Sequence, residues 1–103
     1  MSEKDTSRYH KGPCRLVFAD GFRINVAVEL CWMPRYRRWF GDLTAIRPDG
    51  DALADRIEQH AQLHFEDGTS GVVKLRIMPH FGTDCLVFGV TGVGVPPFSR
   101  VAA

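Results

Sequence analysis

The chain has 103 residues, of which 45% are hydrophobic and 24% are charged, and its formal net charge is +1 at pH 7. These values are typical of one folded domain and exclude a disordered protein. The near balance of charge argues against a general binder of nucleic acid or of another polyanion, although it leaves room for a local basic patch.

The cysteines and the lack of long apolar runs indicate the cellular compartment of the protein. Cys14, Cys31 and Cys85 form no Cys-x-x-Cys pair, and an odd number does not suit a disulfide framework. No apolar run approaches the roughly 18 residues that a membrane span requires, and residues 1–11 lack the apolar core of a signal peptide. We therefore predict a cytoplasmic protein that does not associate with membranes. Residues 1–11 are predicted to be a flexible tail, residues 12–98 a single domain and residues 99–103 a second tail.

In the first third of the chain, the hydrophobic pattern predicts two strands. Residues 14–20 begin a strand after Gly12-Pro13, and Asp20-Gly21 is typical of a two-residue hairpin of type I′. In residues 22–31, apolar side chains occupy every second position, which predicts a half-buried strand with one face on a core. Met33-Pro34 ends that strand in a turn or at an edge.

The next segment has the densest polar and aromatic chemistry in the chain, with three arginines and three aromatics in residues 35–40. Aromatic residues at this density favour an extended conformation over residues 35–46. Tyr36, Arg38 and Phe40 would then share one face of a strand, and Arg35, Arg37 and Trp39 the other. Gly41 predicts a bulge or a sharp bend, as occurs where a sheet curls into a barrel.

The rest of the chain predicts one short helix and further strands. Residues 47–51 indicate a type I turn, and residues 52–59 a helix of about two turns with Asp51 as N-cap, or else an irregular strand. Strands at residues 61–66 and 73–78 flank Asp67-Gly68, and residues 85–90 are apolar on both faces. The predicted fold is mainly all-β: a small meandering β-barrel or two-layer sandwich of about six strands with one short helix.

Four stretches of this chain resemble an uncharacterised actinobacterial family, whose members occur alone or C-terminal to flavin-dependent monooxygenases. These stretches are Gly12-Pro13, residues 26–30, residues 37–43 and residues 90–98, the last of which matches a Gly-x-Gly-x-Pro-Pro-Phe ending. The chain departs from the family pattern at Asp42, where a basic residue is expected, and at residues 79–81. The resemblance covers residues 12–98 and implies a β fold and a link to oxidative or secondary metabolism. It carries over no catalytic residue.

The arginine–aromatic segment is the main candidate for ligand binding. The guanidinium groups of Arg35 and Arg37 could take a carboxylate or phosphate while Tyr36 and Trp39 stack on a planar ligand, and Arg76 could add a contact. In the structural alternative, these arginines cover apolar surface on a barrel strand and pair with acids across the sheet. Nucleic acid fits less well, because the overall charge is balanced.

His80, with Asp84 four residues later and Arg76 before it, is a candidate acid–base site. Histidine titrates near neutrality, and an aspartate can orient it. His60 and His64 would chelate a metal only if they shared a helix face, whereas the surrounding alternation predicts a strand. We therefore expect neither a metal nor a cofactor.

Two classes of function follow. The first is a non-catalytic binding or accessory module of oxidative or secondary metabolism, which holds a small hydrophobic or anionic molecule or docks on a flavin-dependent monooxygenase. The second is a small β-barrel enzyme of the isomerase or cyclase type. In it, His80 would transfer a proton, Asp84 would orient it and Arg37 would stabilise negative charge. An open edge near Pro34 would also favour a homodimer.

Overall fold

The computed structural model describes residues 9–77 and 80–98, and at residues 80 and 81 it describes the backbone. Within these ranges the chain forms seven β-strands and two short 3-10 helices. The strands are β1 (Tyr9–Phe18), β2 (Arg23–Met33), β3 (Arg38–Ile46), β4 (His60–Phe65), β5 (Ser70–Leu75), β6 (His80–Phe81) and β7 (Cys85–Val93). The helices are Pro34–Tyr36 and Asp49–Arg56. β1 thus begins inside the predicted N-terminal tail, while residues 1–8 and 99–103 lie outside the described ranges.

The described strands pair antiparallel throughout, in the order β3-β2-β1-β4-β5-β7, and β3 also pairs with β7. This last pairing closes six of the described strands into a barrel, and β6 adds to β7 outside that circuit. The predicted small barrel is therefore confirmed, and the sandwich alternative is wrong.

Alternating apolar residues fill the barrel interior. On β2, Val26, Val28 and Leu30 are buried and the residues between them are exposed, as the period of two predicts. The largest fully buried side chains come from all around the barrel: Trp39, Phe88, Leu16, Leu43, Leu53, Leu63, Leu75 and Leu86. Burial of each such side chain stabilises the fold by roughly 1.5–3 kcal/mol. The interior is thus a packed core, and no polar or charged residue of the described ranges is fully buried.

A segment without strand structure covers each end of the barrel. At one end, the helix Asp49–Arg56 packs against β3 and β7 and buries Leu53 completely. At the other end, Pro96 is fully buried, and the ring of Phe98 meets that of Trp39 edge-on with 5.6 Å between the ring centroids. The two segments therefore extend the core beyond the strands themselves.

The helix between β3 and β4 begins earlier than the sequence pattern predicts. Pro48, rather than Asp51, stands at its N-cap position, without a capping side-chain hydrogen bond. Asp51 lies inside the helix, where its carboxylate accepts a hydrogen bond of 2.8 Å from Nε of Arg47. The predicted N-cap is wrong because this carboxylate is engaged by the arginine that precedes the helix.

The hairpin between β1 and β2 has a loop of three residues, so the predicted two-residue loop is wrong. The Phe18 N–H donates to the Phe22 carbonyl at 2.9 Å, and Gly21 has a φ of 94°. A turn followed by a residue in the left-handed region is the usual form of a three-residue hairpin loop, and glycine adopts it without strain. The loop between β4 and β5 repeats this arrangement, with Gly68 at a φ of 92°.

Gly41 marks a close approach of two strands and not a bulge. The pairing of β3 with β2 and with β7 runs through Gly41 without an inserted residue. A Cβ atom at this position would overlap the backbone oxygen of Glu29 on β2. Glycine is therefore required here because β2 and β3 leave no room for a side chain on that face.

Candidate functional site

The arginine–aromatic segment forms the tip of the β2–β3 hairpin. Arg35 and Tyr36 lie in the short 3-10 helix, and Arg37 has a left-handed φ of 51°. The predicted extended conformation is therefore wrong for residues 35–37, and β3 begins at Arg38. Arg35, Tyr36 and Arg37 are exposed, whereas Trp39 is fully buried inside the barrel. The structure thus does not bring Trp39 together with Arg35, Tyr36 and Arg37.

The residues of the predicted acid–base site are only partly described. Asp84 is exposed just before β7, and its backbone carbonyl accepts a hydrogen bond of 2.9 Å from the Arg47 N–H. Arg76 forms an ion pair of 3.4 Å with Glu58. The backbone of His80 pairs with Val87, but its side chain lies outside the described part of the structure. Catalysis by His80 and Asp84 therefore stays a prediction.

His60 and His64 both lie on β4, as the alternation predicts. On a strand, residues four apart are separated by about 13 Å, which is too far for both to bind one metal ion. The His64 ring nitrogen Nε2 instead lies 3.1 Å from the Gln62 side-chain oxygen. Among the described residues, no group of three or more His, Cys, Asp or Glu side chains is arranged to hold a metal ion.

The structure places a groove on the outer face of β1, β2 and β4. Its volume is about 760 Å³, and its polar lining includes Arg15, Arg23, Asn25, His64 and Glu66. In the strand register, Arg15 on β1 stands directly between Asn25 on β2 and His64 on β4. Because directly opposite residues of a sheet point to the same side, these three side chains form one row across the groove.

The next row of the groove brings a second arginine close to the first. Arg23 on β2 stands opposite Val17, which is two residues beyond Arg15 on β1. Arg15 and Arg23 are therefore diagonal neighbours on one face, about 7–8 Å apart. At this spacing, two flexible guanidinium groups can converge on one anionic molecule, with Val17 as an apolar floor between them.

The two arginines of the groove differ from Arg56 in their surroundings. Within the described ranges, Arg15 and Arg23 form no ion pair. Arg56, by contrast, bonds the Asp20 carboxylate at 3.0 Å and lies over the Phe22 ring at 4.4 Å. Arg56 thus has a structural role, whereas the two groove arginines keep their charge available to a ligand.

The thiol of Cys14, beneath the groove, is unreactive. Cys14 is buried on β1, and burial raises the pKa of its thiol to about 11, with Glu66 and Asp67 adding to the effect. A thiol is a nucleophile only as the thiolate, so Cys14 stays unreactive at neutral pH. The groove therefore offers positive charge and hydrogen bonds rather than a nucleophile.

The chain was compared with known proteins, and no family model, no curated protein and no solved structure matches it. The resemblance to the actinobacterial family thus stays a prediction. In the described ranges, none of the helices has the length and apolar character needed to cross a membrane.

Sequence reasoning missed the groove because its residues are far apart in the chain. Arg15 and Arg23 stand eight positions apart, and His64 lies on a strand that pairs with β1 only in the folded barrel. The available signal was the pair of alternating patterns around the Asp20-Gly21 loop, which places Arg15 and Arg23 on the outer face.

Proposed function

We propose that the protein is a non-catalytic module that binds a small anionic molecule in the groove of β1, β2 and β4. The proposal depends on one observation: Arg15 and Arg23, which have no ion-pair partner among the described residues, line a groove of about 760 Å³. This volume lies within the range of small-molecule sites. A role in oxidative or secondary metabolism, with docking on a flavin-dependent monooxygenase, is implied by the family resemblance alone.

The chemistry of the lining supports a small anion over other ligands. Arg15 and Arg23 supply two guanidinium forks, Asn25 supplies an amide and Val17 an apolar contact. Guanidinium groups bind carboxylates and phosphates in a bidentate manner, so the expected ligand carries one or two such groups on a partly apolar body. Glu66, which also lines the groove, would repel a long polyanion that extended past the arginines.

The first test is a thermal-shift titration with two anionic probes, terephthalate and phenyl phosphate, and with neutral terephthalamide. Saturation at about 100 times the dissociation constant adds roughly 2.7 kcal/mol to the free energy of unfolding. In a domain of this size, that is a rise of several degrees in Tm. We expect an anionic probe to raise Tm and the neutral amide to leave it unchanged.

Matched arginine variants locate the site. Arg15→Gln with Arg23→Gln keeps hydrogen-bonding side chains but removes both charges, so we expect this double variant to lose the shift. The control, Arg35→Gln with Arg37→Gln, removes two charges at the hairpin tip and should keep the shift. If the tip variant loses the shift and the groove variant keeps it, or if no probe shifts the wild type, the proposed groove is wrong.

A further inference from the structure

A second surface, separate from the groove, lies on the outer face of β1, β2 and β3 next to the hairpin tip. We call it the hairpin face. The strand register divides it into three successive rows across the strands. These rows are Met33 with Arg38, then Tyr9 with Cys31 and Phe40, then Lys11 with Glu29 and Asp42.

The middle row of the hairpin face is apolar and exposed. Tyr9 is 59% exposed and Phe40 38%, and Met33 in the neighbouring row is 36% exposed. Cys31 lies between the two aromatics, half-buried. Tyrosine, phenylalanine, methionine and arginine are the residue types enriched in protein interfaces. The surface therefore has the composition of an interface centre.

Arg38 lies on one side of this apolar row and Asp42 on the other, and these two opposite charges do not form an ion pair with each other. Arg38 and Asp42 form no ion pair within the described ranges. They stand four residues apart on β3, about 13 Å, so they are too far apart to pair within one chain. Asp42 also stands directly opposite Glu29, an arrangement that is destabilising unless a cation approaches. Only one cation of the described part approaches this pair: Lys11, 3.5 Å from Glu29.

We propose that the hairpin face is the interface of a homodimer. The two-fold axis would lie in the interface plane, along the Tyr9–Cys31–Phe40 row. A half-turn about this axis exchanges the two outer rows. Each strand of one chain then lies against the same strand of the second copy. Arg38 of one chain then meets Asp42 of the second copy, and the same contact forms twice, as a two-fold interface requires. Cys31 of one chain faces Cys31 of the other.

Self-complementarity is what favours a second copy over another partner. Along β3 the order is basic, apolar and acidic, from Arg38 through Phe40 to Asp42, and this order matches its own reverse. An anionic membrane would meet Glu29 and Asp42 on the same face and be repelled by them. The face covers roughly 15 by 15 Å from strand spacing, which is small for an interface, so we expect a dissociation constant in the micromolar range.

Analytical ultracentrifugation tests the proposal through charge reversal. We expect wild-type protein to pass from monomer to dimer between about 1 and 500 µM. Arg38→Asp and Asp42→Arg should each raise the dissociation constant at least tenfold, since each places like charges opposite one another twice. The double variant should recover dimerisation, because it restores both pairs with exchanged signs. Arg15→Asp, on the groove, is the matched control and should dimerise as wild type does.

Cross-linking tests the position of the axis. A short bis-maleimide should join two chains through Cys31, and Cys31→Ser should abolish the cross-link while Cys85→Ser leaves it intact. The proposal is overturned if the wild type stays monomeric over the whole concentration range. It is equally overturned if a dimer forms but neither charge reversal weakens it, or if the cross-link depends on Cys85.

Discussion

At the scale of single residues, the contact between Gly92 and Trp39 shows how the core accommodates its largest side chain. Trp39 is fully buried, and a Cβ atom at Gly92 on β7 would overlap three ring atoms of its indole. The sequence pattern placed Trp39 among candidate ligand contacts because its neighbours are exposed arginines. Its burial depends on a glycine more than 50 positions away, which no local pattern reveals.

Replacing Gly92 by alanine should therefore destabilise the fold. A methyl group has no space beside the rigid indole, and overpacking of this kind costs about 1–3 kcal/mol. Gly89→Ala on the same strand is the matched control, since its Cβ would meet neighbours at no less than 3.8 Å. We expect urea unfolding to show a large loss for Gly92→Ala and less than about 1 kcal/mol for Gly89→Ala. Equal losses in the two variants would refute this account of the core.

His10 links the fold to pH. Its ring lies 4.7 Å from that of Phe65 and 5.8 Å from that of Phe98, and its buried Nε2 has no hydrogen-bond partner among the described residues. Burial lowers the pKa of His10, while the nearby carboxylates of Asp67 and Glu66 act in the opposite direction. The neutral ring is thus the form that fits between the two phenylalanines.

The direction of this pH effect on stability follows from the linkage between proton binding and folding. Below the ordinary histidine pKa of about 6.5, the unfolded chain binds a proton that the folded chain resists, so stability falls as the pH falls. We expect the free energy of unfolding, from urea titrations, to drop between pH 7.5 and pH 5.5. His10→Phe should show a smaller drop because its ring cannot take a proton. An identical pH dependence in wild type and His10→Phe would contradict the role given to this residue.

At the scale of elements, the strand β2 was predictable from the sequence, and the length of the loop before it was not. The alternation in residues 22–31 predicted β2 correctly, because a strand with one face on a core requires a period of two. The loop before it was mispredicted from the Asp20-Gly21 pair alone. A two-residue loop would have set Arg15 opposite Val26, an inward residue, whereas the observed register sets it opposite Asn25. The alternation on both strands thus carries the information that the loop has three residues.

The prediction for the hairpin tip was wrong for a related reason. Aromatic density favoured an extended chain from Arg35, but β2 and β3 pair up to Met33 and Arg38. Residues 34–37 must then reverse the chain, and Pro34, at the start of the 3-10 helix, is suited to that turn. Tertiary pairing here overrides residue preference.

At the scale of the whole molecule, closure of the barrel decides where a ligand can bind. The interior is filled by large apolar side chains, and the segments at residues 49–56 and 94–98 cover the two ends. A groove on the outside of the barrel is then the natural place for polar recognition. The number and spacing of the strands predicted a barrel or a sandwich, and the pairing of β3 with β7 decides for the barrel. The groove was not predictable, because it requires the pairing of β1 with β4. Nothing in the sequences of these two strands indicates that they pair.

The most direct measurement of the central claim is amide NMR of isotope-labelled protein titrated with terephthalate. If the groove binds the anion, saturable shifts will cluster at Arg15, Arg23 and His64 and will vanish in the Arg15→Gln, Arg23→Gln variant. Shifts that cluster at residues 35–38, or that persist in this variant, would contradict the claim and return the site to the arginine–aromatic segment or elsewhere.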